Sequence, residues 1–89
     1  MTDILNMTKM NLAIVSPVWD SYLNNLIEAS KLMIKREGIT LNLDSIEDIN
    51  LIVMYASYLY RKRVEDNAPM PRMLRYALNN RLISEKGAS

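Results

Sequence analysis

The sequence lacks the two residue types that most small-enzyme chemistry requires. It contains no cysteine and no histidine. Disulfides, thiolate nucleophiles and Cys-ligated zinc or iron–sulfur clusters are therefore excluded, and the commonest metal ligand and general base is missing. Acid–base catalysis would have to rest on carboxylates, tyrosine or lysine, and no motif places two such groups together. We expect neither enzyme activity nor a cofactor or metal.

Glycine and proline are scarce, with two and three in 89 residues. An all-β fold needs many tight turns, which are rich in glycine and proline, so this composition argues against an all-β fold. The longest apolar run, residues 51–60, contains Ser57 and has about half the ~20 residues that a membrane-spanning helix requires. No basic segment followed by an apolar stretch begins the chain, so we expect cytoplasmic synthesis and no membrane contact. The length suits one all-α domain over residues 1–89.

Helix start and stop signals predict a small bundle of three main helices plus a short N-terminal one. A weak apolar stripe indicates a short helix over about residues 3–10. Ser16 followed by Pro17 is an N-cap with proline at the first helical position. Gly38 supplies the left-handed residue that ends this second helix.

The remaining two helices are predicted in the second half of the chain. Residues 44–47 form a capping pattern with Asp44 as the N-cap, and the helix that follows is predicted to end near Arg63. A final helix begins at Pro71, and residues 83–89 have no apolar periodicity and are expected to form a flexible tail. Capping alone explains the acidic residues at the start of the third helix, so no metal site is predicted there.

Apolar periodicity predicts both the core and a subunit interface. The residues expected in the core are Trp19, Leu23, Leu26, Ile27, Met33, Ile49, Ile52, Val53, Ala56, Leu59, Leu74 and Leu78. The third helix is also apolar on its opposite side. Because three other helices cannot completely enclose one helix in a domain this small, part of that side is expected to contact another subunit. The predicted interface residues are Leu51, Met54, Tyr55 and Tyr58.

Charge is unevenly distributed although the net charge is only +1. Residues 1–50 carry four basic and seven acidic side chains, and residues 51–89 carry seven basic and three acidic ones, so the halves are −3 and +4. The basic residues predicted to face a partner or DNA are Arg61, Lys62, Arg63, Arg72, Arg75 and Arg81. An acidic protein surface or a nucleic-acid backbone would complement them. The long, proline-containing connection between the last two helices argues against a helix-turn-helix.

Several segments resemble a known protein family. They are Trp19-Asp20-Ser21-Tyr22-Leu23, Leu26-Ile27-Glu28-Ala29-Ser30, Leu59-Tyr60-Arg61-Lys62-Arg63 and Met73-Leu74-Arg75-Tyr76-Ala77-Leu78. Over residues 4–82 the chain is similar to the small α-helical head–tail connector proteins, also called adaptor or head-completion proteins, of long-tailed double-stranded DNA bacteriophages and prophages.

The resemblance implies a structural virion protein without enzyme activity. Such proteins form a ring of identical subunits below the portal protein, extend the DNA channel, and carry the stopper or tail-completion protein. Nonspecific contact with the genome in the channel and a location at the head–tail interface of the virion are also implied. The alternative is a small cytoplasmic regulatory or nucleic-acid-binding protein that acts through its basic C-terminal half.

Overall fold

The computed structural model describes residues 3–65 and 68–87, which form four α-helices, one 3-10 turn and no strand. The elements are α1 (Ile4–Leu12), the 3-10 turn (Pro17–Trp19), α2 (Asp20–Arg36), α3 (Ile46–Val64) and α4 (Arg72–Gly87). The prediction of a small all-α bundle with a short N-terminal helix is confirmed. No helix in this part of the chain has the length and hydropathy needed to cross a membrane.

Capping side chains set the starts of α1 and of the 3-10 turn that leads into α2. The Asp3 carboxylate accepts a hydrogen bond from the Asn6 N–H at 3.1 Å. The Ser16 hydroxyl accepts one from the Val18 N–H at 3.3 Å, but it begins the 3-10 turn, and α2 follows directly after that turn. Gly38 has a φ of +101° after α2, which is the left-handed conformation that glycine adopts without strain.

The start of α3 differs by one residue from the prediction. Ser45, not Asp44, is the N-cap, and its hydroxyl accepts a hydrogen bond from the Asp48 N–H at 3.4 Å. Ser and Asp are similarly good N-cap residues, so their order in the sequence did not distinguish them. With Ser45 as the N-cap, the Asp48 side chain takes no part in capping. This side chain is buried beneath α4.

Helix α3 is the centre of the bundle and packs against α1, α2 and α4. Its residues Leu51 and Tyr55 are buried within the single chain, so their assignment to a subunit interface is wrong. The physical reason is that the other helices cover opposite sides of α3. Burial, together with the nearby charge of Glu37, raises the pKa of the Tyr55 hydroxyl. Met54 and Tyr58 are half-buried and pack against the same core.

Most of the predicted core is confirmed, with two exceptions. Trp19 is 42% exposed and Met33 is 38% exposed. Trp19 lies in the 3-10 turn, where the helical spacing used to place it does not hold. Met33 lies beside the buried stripe of α2. The predicted core residues that are buried are Leu23, Ile27, Ile49, Ile52, Val53, Ala56, Leu74 and Leu78, while Leu26 and Leu59 are partly buried against them.

A network of charged hydrogen bonds fastens α4 to α3 and to the loop after α2. The Arg81 guanidinium donates to Asp48 Oδ1 from Nε at 2.7 Å, to Glu85 Oε2 at 2.7 Å, and to the Thr40 carbonyl oxygen at 2.8 Å. The Asn42 N–H donates to Asp48 Oδ2 at 2.8 Å. Burial alone would raise the pKa of Asp48, but these donors outweigh it and hold that pKa below its usual value.

The same network corrects the prediction of a flexible tail from residue 83. Helix α4 continues to Gly87. Glu85 pairs with Arg81 four residues earlier on the same helix, and it accepts a hydrogen bond at 3.1 Å from the N–H of Thr40, which lies 45 positions away and outside the local sequence pattern. Residues 88 and 89 of the predicted tail lie outside the described residues.

We expect Ile52→Ala to lower the free energy of unfolding by about 2–5 kcal/mol, because it removes a fully buried side chain at the centre of the bundle. Met33→Ala, at a partly exposed position, is the control and should cost less than about 1 kcal/mol. Urea denaturation followed by circular dichroism measures both. Equal costs would contradict the described packing.

We expect Asp48→Asn to cost about 2–3 kcal/mol near neutral pH, because it leaves the mostly buried Arg81 without its principal charge partner. The pKa of Asp48 is lower in the folded chain than its unfolded value of about 3.9. The stabilisation is therefore fully present above about pH 5 and is lost as the pH falls through about 4 towards the folded pKa. Urea denaturation at several pH values should show the difference from the unsubstituted chain shrinking over that range.

The exposed neighbour Glu47 provides the matched control, since Glu47→Gln removes a carboxylate from the same helical turn and should cost less than about 1 kcal/mol. A loss from Asp48→Asn that stays constant down to pH 3 would contradict an ionised pair.

Candidate functional site

Three aromatic side chains form a cluster where α2 begins and α3 ends. The ring centroids of Trp19 and Tyr22 are 6.2 Å apart, those of Trp19 and Tyr60 are 6.1 Å apart, and those of Tyr22 and Tyr60 are 6.4 Å apart. The rings meet edge to face or tilted, which is the favourable geometry for aromatic pairs. We call Trp19, Tyr22 and Tyr60 the aromatic triad.

Helix packing brings the triad together. Trp19, the last residue of the 3-10 turn, precedes Tyr22 in the first turn of α2 by three residues, and the two rings contact each other across that junction. Tyr60 comes from the last part of α3, which packs against α2. Arg63, one turn further along α3, places its guanidinium carbon 5.5 Å from the centroid of the Tyr22 ring, within cation–π range.

Three consecutive cations follow Tyr60 at the end of α3, and Arg63 among them contacts a ring of the triad. Arg61, Lys62 and Arg63 are all exposed in the last turn of α3 and form no ion pair with any residue in 3–65 or 68–87. The Lys62 ammonium lies 6.0 Å from the ring centroid of Tyr58. We call the triad together with these three cations the basic–aromatic end.

The basic–aromatic end has the composition of a protein-binding surface. Trp19 remains 42% exposed after folding, and Trp, Tyr and Arg are the residue types that contribute most to protein–protein binding energy. No two rings of the triad are stacked in parallel, and Arg63 already lies over the Tyr22 ring. The triad therefore does not offer the row of open ring faces on which single-stranded nucleic acids stack.

The other predicted basic residues are not part of this end. Arg72 is exposed at the start of α4. Arg75 pairs with Glu37 at 3.4 Å, and Glu37 is the C-cap of α2, at the opposite end of that helix from the triad. The predicted basic set is therefore divided between the two ends of α2.

Arg81 is removed from the partner-facing set altogether. Its side chain is only 16% exposed, and its guanidinium donates to Asp48, Glu85 and the Thr40 carbonyl within the chain. Arg81 binds the buried carboxylate of Asp48, which lies 33 positions away in the sequence. No local sequence pattern could therefore reveal the role of this arginine.

Of the predicted interface residues, only Met54 and Tyr58 keep part of their surface accessible. The rings of Tyr55 and Tyr58 contact each other with centroids 6.0 Å apart. This contact packs the half-buried Tyr58 against the buried Tyr55. Within residues 3–65 and 68–87, no three acidic side chains converge into a group that could hold a metal ion.

The sequence contained a partial signal for the triad that the prediction did not use. The spacing of Trp19 to Tyr22, and of Tyr60 to Arg63, is three residues in each case, which favours side-chain contact along one helix face. Nothing in the sequence indicated that the two pairs would meet, because their contact depends on how α2 packs against α3.

Comparison of the chain with protein-family models, curated proteins and solved structures finds no match. The function must therefore be inferred from the residues and from their arrangement in the fold.

Proposed function

We propose that this protein is a head–tail connector of a long-tailed double-stranded DNA phage or prophage. Copies of the chain assemble as a ring below the portal protein, extend the DNA channel and join the capsid to the stopper or tail-completion protein. The chain is made in the host cytoplasm and acts in the virion as a structural part, not as an enzyme. The resemblance of residues 4–82 to the connector family motivates this proposal.

The observation that carries the proposal is the basic–aromatic end. A folded domain of this size gains stability by burying Trp and Tyr, yet Trp19 stays 42% exposed in a cluster that Arg63 contacts through Tyr22. Arg61, Lys62 and Arg63 find no ion-pair partner among the described residues. Such a surface is typical of a protein that is completed by assembly with other chains.

A second candidate function is supported by the three consecutive cations alone. A regulatory or nucleic-acid-binding protein could use Arg61, Lys62 and Arg63 to contact phosphates. The triad geometry favours protein contact over base stacking, and for that reason the connector is preferred.

We expect electron microscopy of the protein mixed with portal particles from the same genome to show an added ring of density below the portal. A double variant, Arg61→Glu with Lys62→Glu, should lose this ring because it reverses the charge of the basic–aromatic end. Lys35→Glu with Arg36→Glu is the matched control, since it changes an exposed Lys–Arg pair in the last turn of α2 and should keep the ring.

Absence of a ring for the unsubstituted protein at several salt concentrations would contradict the connector proposal. Tight binding of the free chain to DNA, with an affinity that falls steeply as salt is raised, would then support the second candidate.

A further inference from the structure

Helix α3 carries opposite charges at its two ends. It spans 19 residues, so its ends lie about 27 Å apart. The exposed Asp44 and Glu47 flank its N-terminus, and the exposed Arg61, Lys62 and Arg63 lie in its last turn. The helix dipole favours this placement of charges within one chain.

The N-terminal end of α3 also exposes apolar side chains. Leu43 is 51% exposed and Ile46 is 64% exposed, and both alternate with the two carboxylates. Asp44 and Glu47 form no ion pair within the described part of the chain, while the neighbouring Arg81 is already bound to Asp48 and Glu85. We call Leu43, Asp44, Ile46 and Glu47 the acidic–apolar end.

Exposed apolar residues adjoin the opposite end of α3 as well. Val18 precedes Trp19 in the 3-10 turn, Val64 follows Arg63, and both valines are largely exposed. The helix dipole accounts for the charges at each end but not for exposed Leu, Ile, Val and Trp side chains. The two ends are thus complementary in charge, and each offers apolar surface for the other to bury.

We propose that the basic–aromatic end of one copy of this chain binds the acidic–apolar end of the next copy. The two surfaces lie at opposite ends of α3 and cannot meet within one molecule. The contact joins different surfaces of the two copies, and repetition of such a contact produces a closed ring or an open array. This inference rests on the proposed connector function and adds to it the surfaces through which neighbouring subunits meet.

Charge reversal at each end tests this pairing. The basic-end variant carries Arg61→Glu with Lys62→Glu and has two acidic ends. The acidic-end variant carries Asp44→Lys with Glu47→Lys and has two basic ends. We expect sedimentation velocity at low salt to show self-association of the unsubstituted chain, at least a tenfold weaker association of each variant alone, and renewed association when the two variants are mixed in equal amounts.

A crosslinking readout detects the contact even when association is weak. The chain has no cysteine, so introduced cysteines report one chosen contact. Under mild oxidation, a mixture of Ile46→Cys and Val64→Cys chains should form disulfide-linked mixed dimers faster than either variant forms disulfide-linked dimers with itself. The double-cysteine chain should give a ladder of multimers, and 500 mM salt should slow both reactions because it screens the charges, at a Debye length of about 4 Å.

Lys35→Glu with Arg36→Glu is again the matched control and should associate like the unsubstituted chain, with circular dichroism confirming that every variant is helical.

The proposal is overturned if the mixed variants stay monomeric while the cysteine chains show no preference for the mixed dimer. It is also overturned if the basic-end variant loses DNA affinity while no crosslinked copies form, since that face would then be a nucleic-acid site. A portal-bound ring that tolerates the charge reversals would keep the connector function and reject only these contact surfaces.

Discussion

The burial of α3 among the other helices is the constraint on which the rest of this structure depends. Because α1, α2 and α4 all pack on this helix, side chains on nearly opposite faces of it, such as Leu51 and Val53, are both buried in one chain. The middle of α3 therefore belongs to the core. Asn50 is exposed and Met54 and Tyr58 are half-buried along the helix, while its exposed charged side chains lie at its two ends.

Covering the N-terminal half of α3 requires α4 to be held against it, and a charged network contributes to this. Asp48 is buried, and a buried carboxylate is unfavourable unless it is paired and hydrogen-bonded. Arg81 and the Asn42 N–H satisfy it, and Arg81 extends the network to Glu85 and the Thr40 carbonyl. In the described residues no buried side-chain nitrogen or oxygen lacks a hydrogen-bond partner. Specific pairing thus fixes the position of α4 in addition to apolar packing.

The basic side chains of the second half of the chain include two groups, one that forms ion pairs within the bundle and one at the end of α3 that does not. Arg81 is bound to the buried Asp48 and belongs to the internal structure of the bundle, whereas Arg75 is 43% exposed and forms a surface ion pair with Glu37. Arg61, Lys62 and Arg63 form no ion pair within the described residues, and Arg63 lies over the Tyr22 ring of the aromatic triad. Counting basic residues along the sequence combines both groups, whereas the fold shows which cations remain available to a partner.

The sequence by itself determined the elements that depend on local chemistry. Ser16 and Pro17 begin the 3-10 turn that leads into α2, and Gly38 follows the end of α2. These signals are local because capping, a fixed φ and a left-handed φ are properties of single residues and their neighbours. The apolar stripes of α2 and α3 predicted most of the core for the same reason, since helical periodicity is local.

Only the tertiary structure decided the features that join distant segments. These are the pairing of Asp48 with Arg81, the continuation of α4 to Gly87, the burial of Tyr55 inside one chain, and the meeting of Trp19 with Tyr60. Each depends on which helix faces meet and at what height along their axes, and that is set by the packing of the whole bundle. No periodicity or spacing within a single helix contains this information.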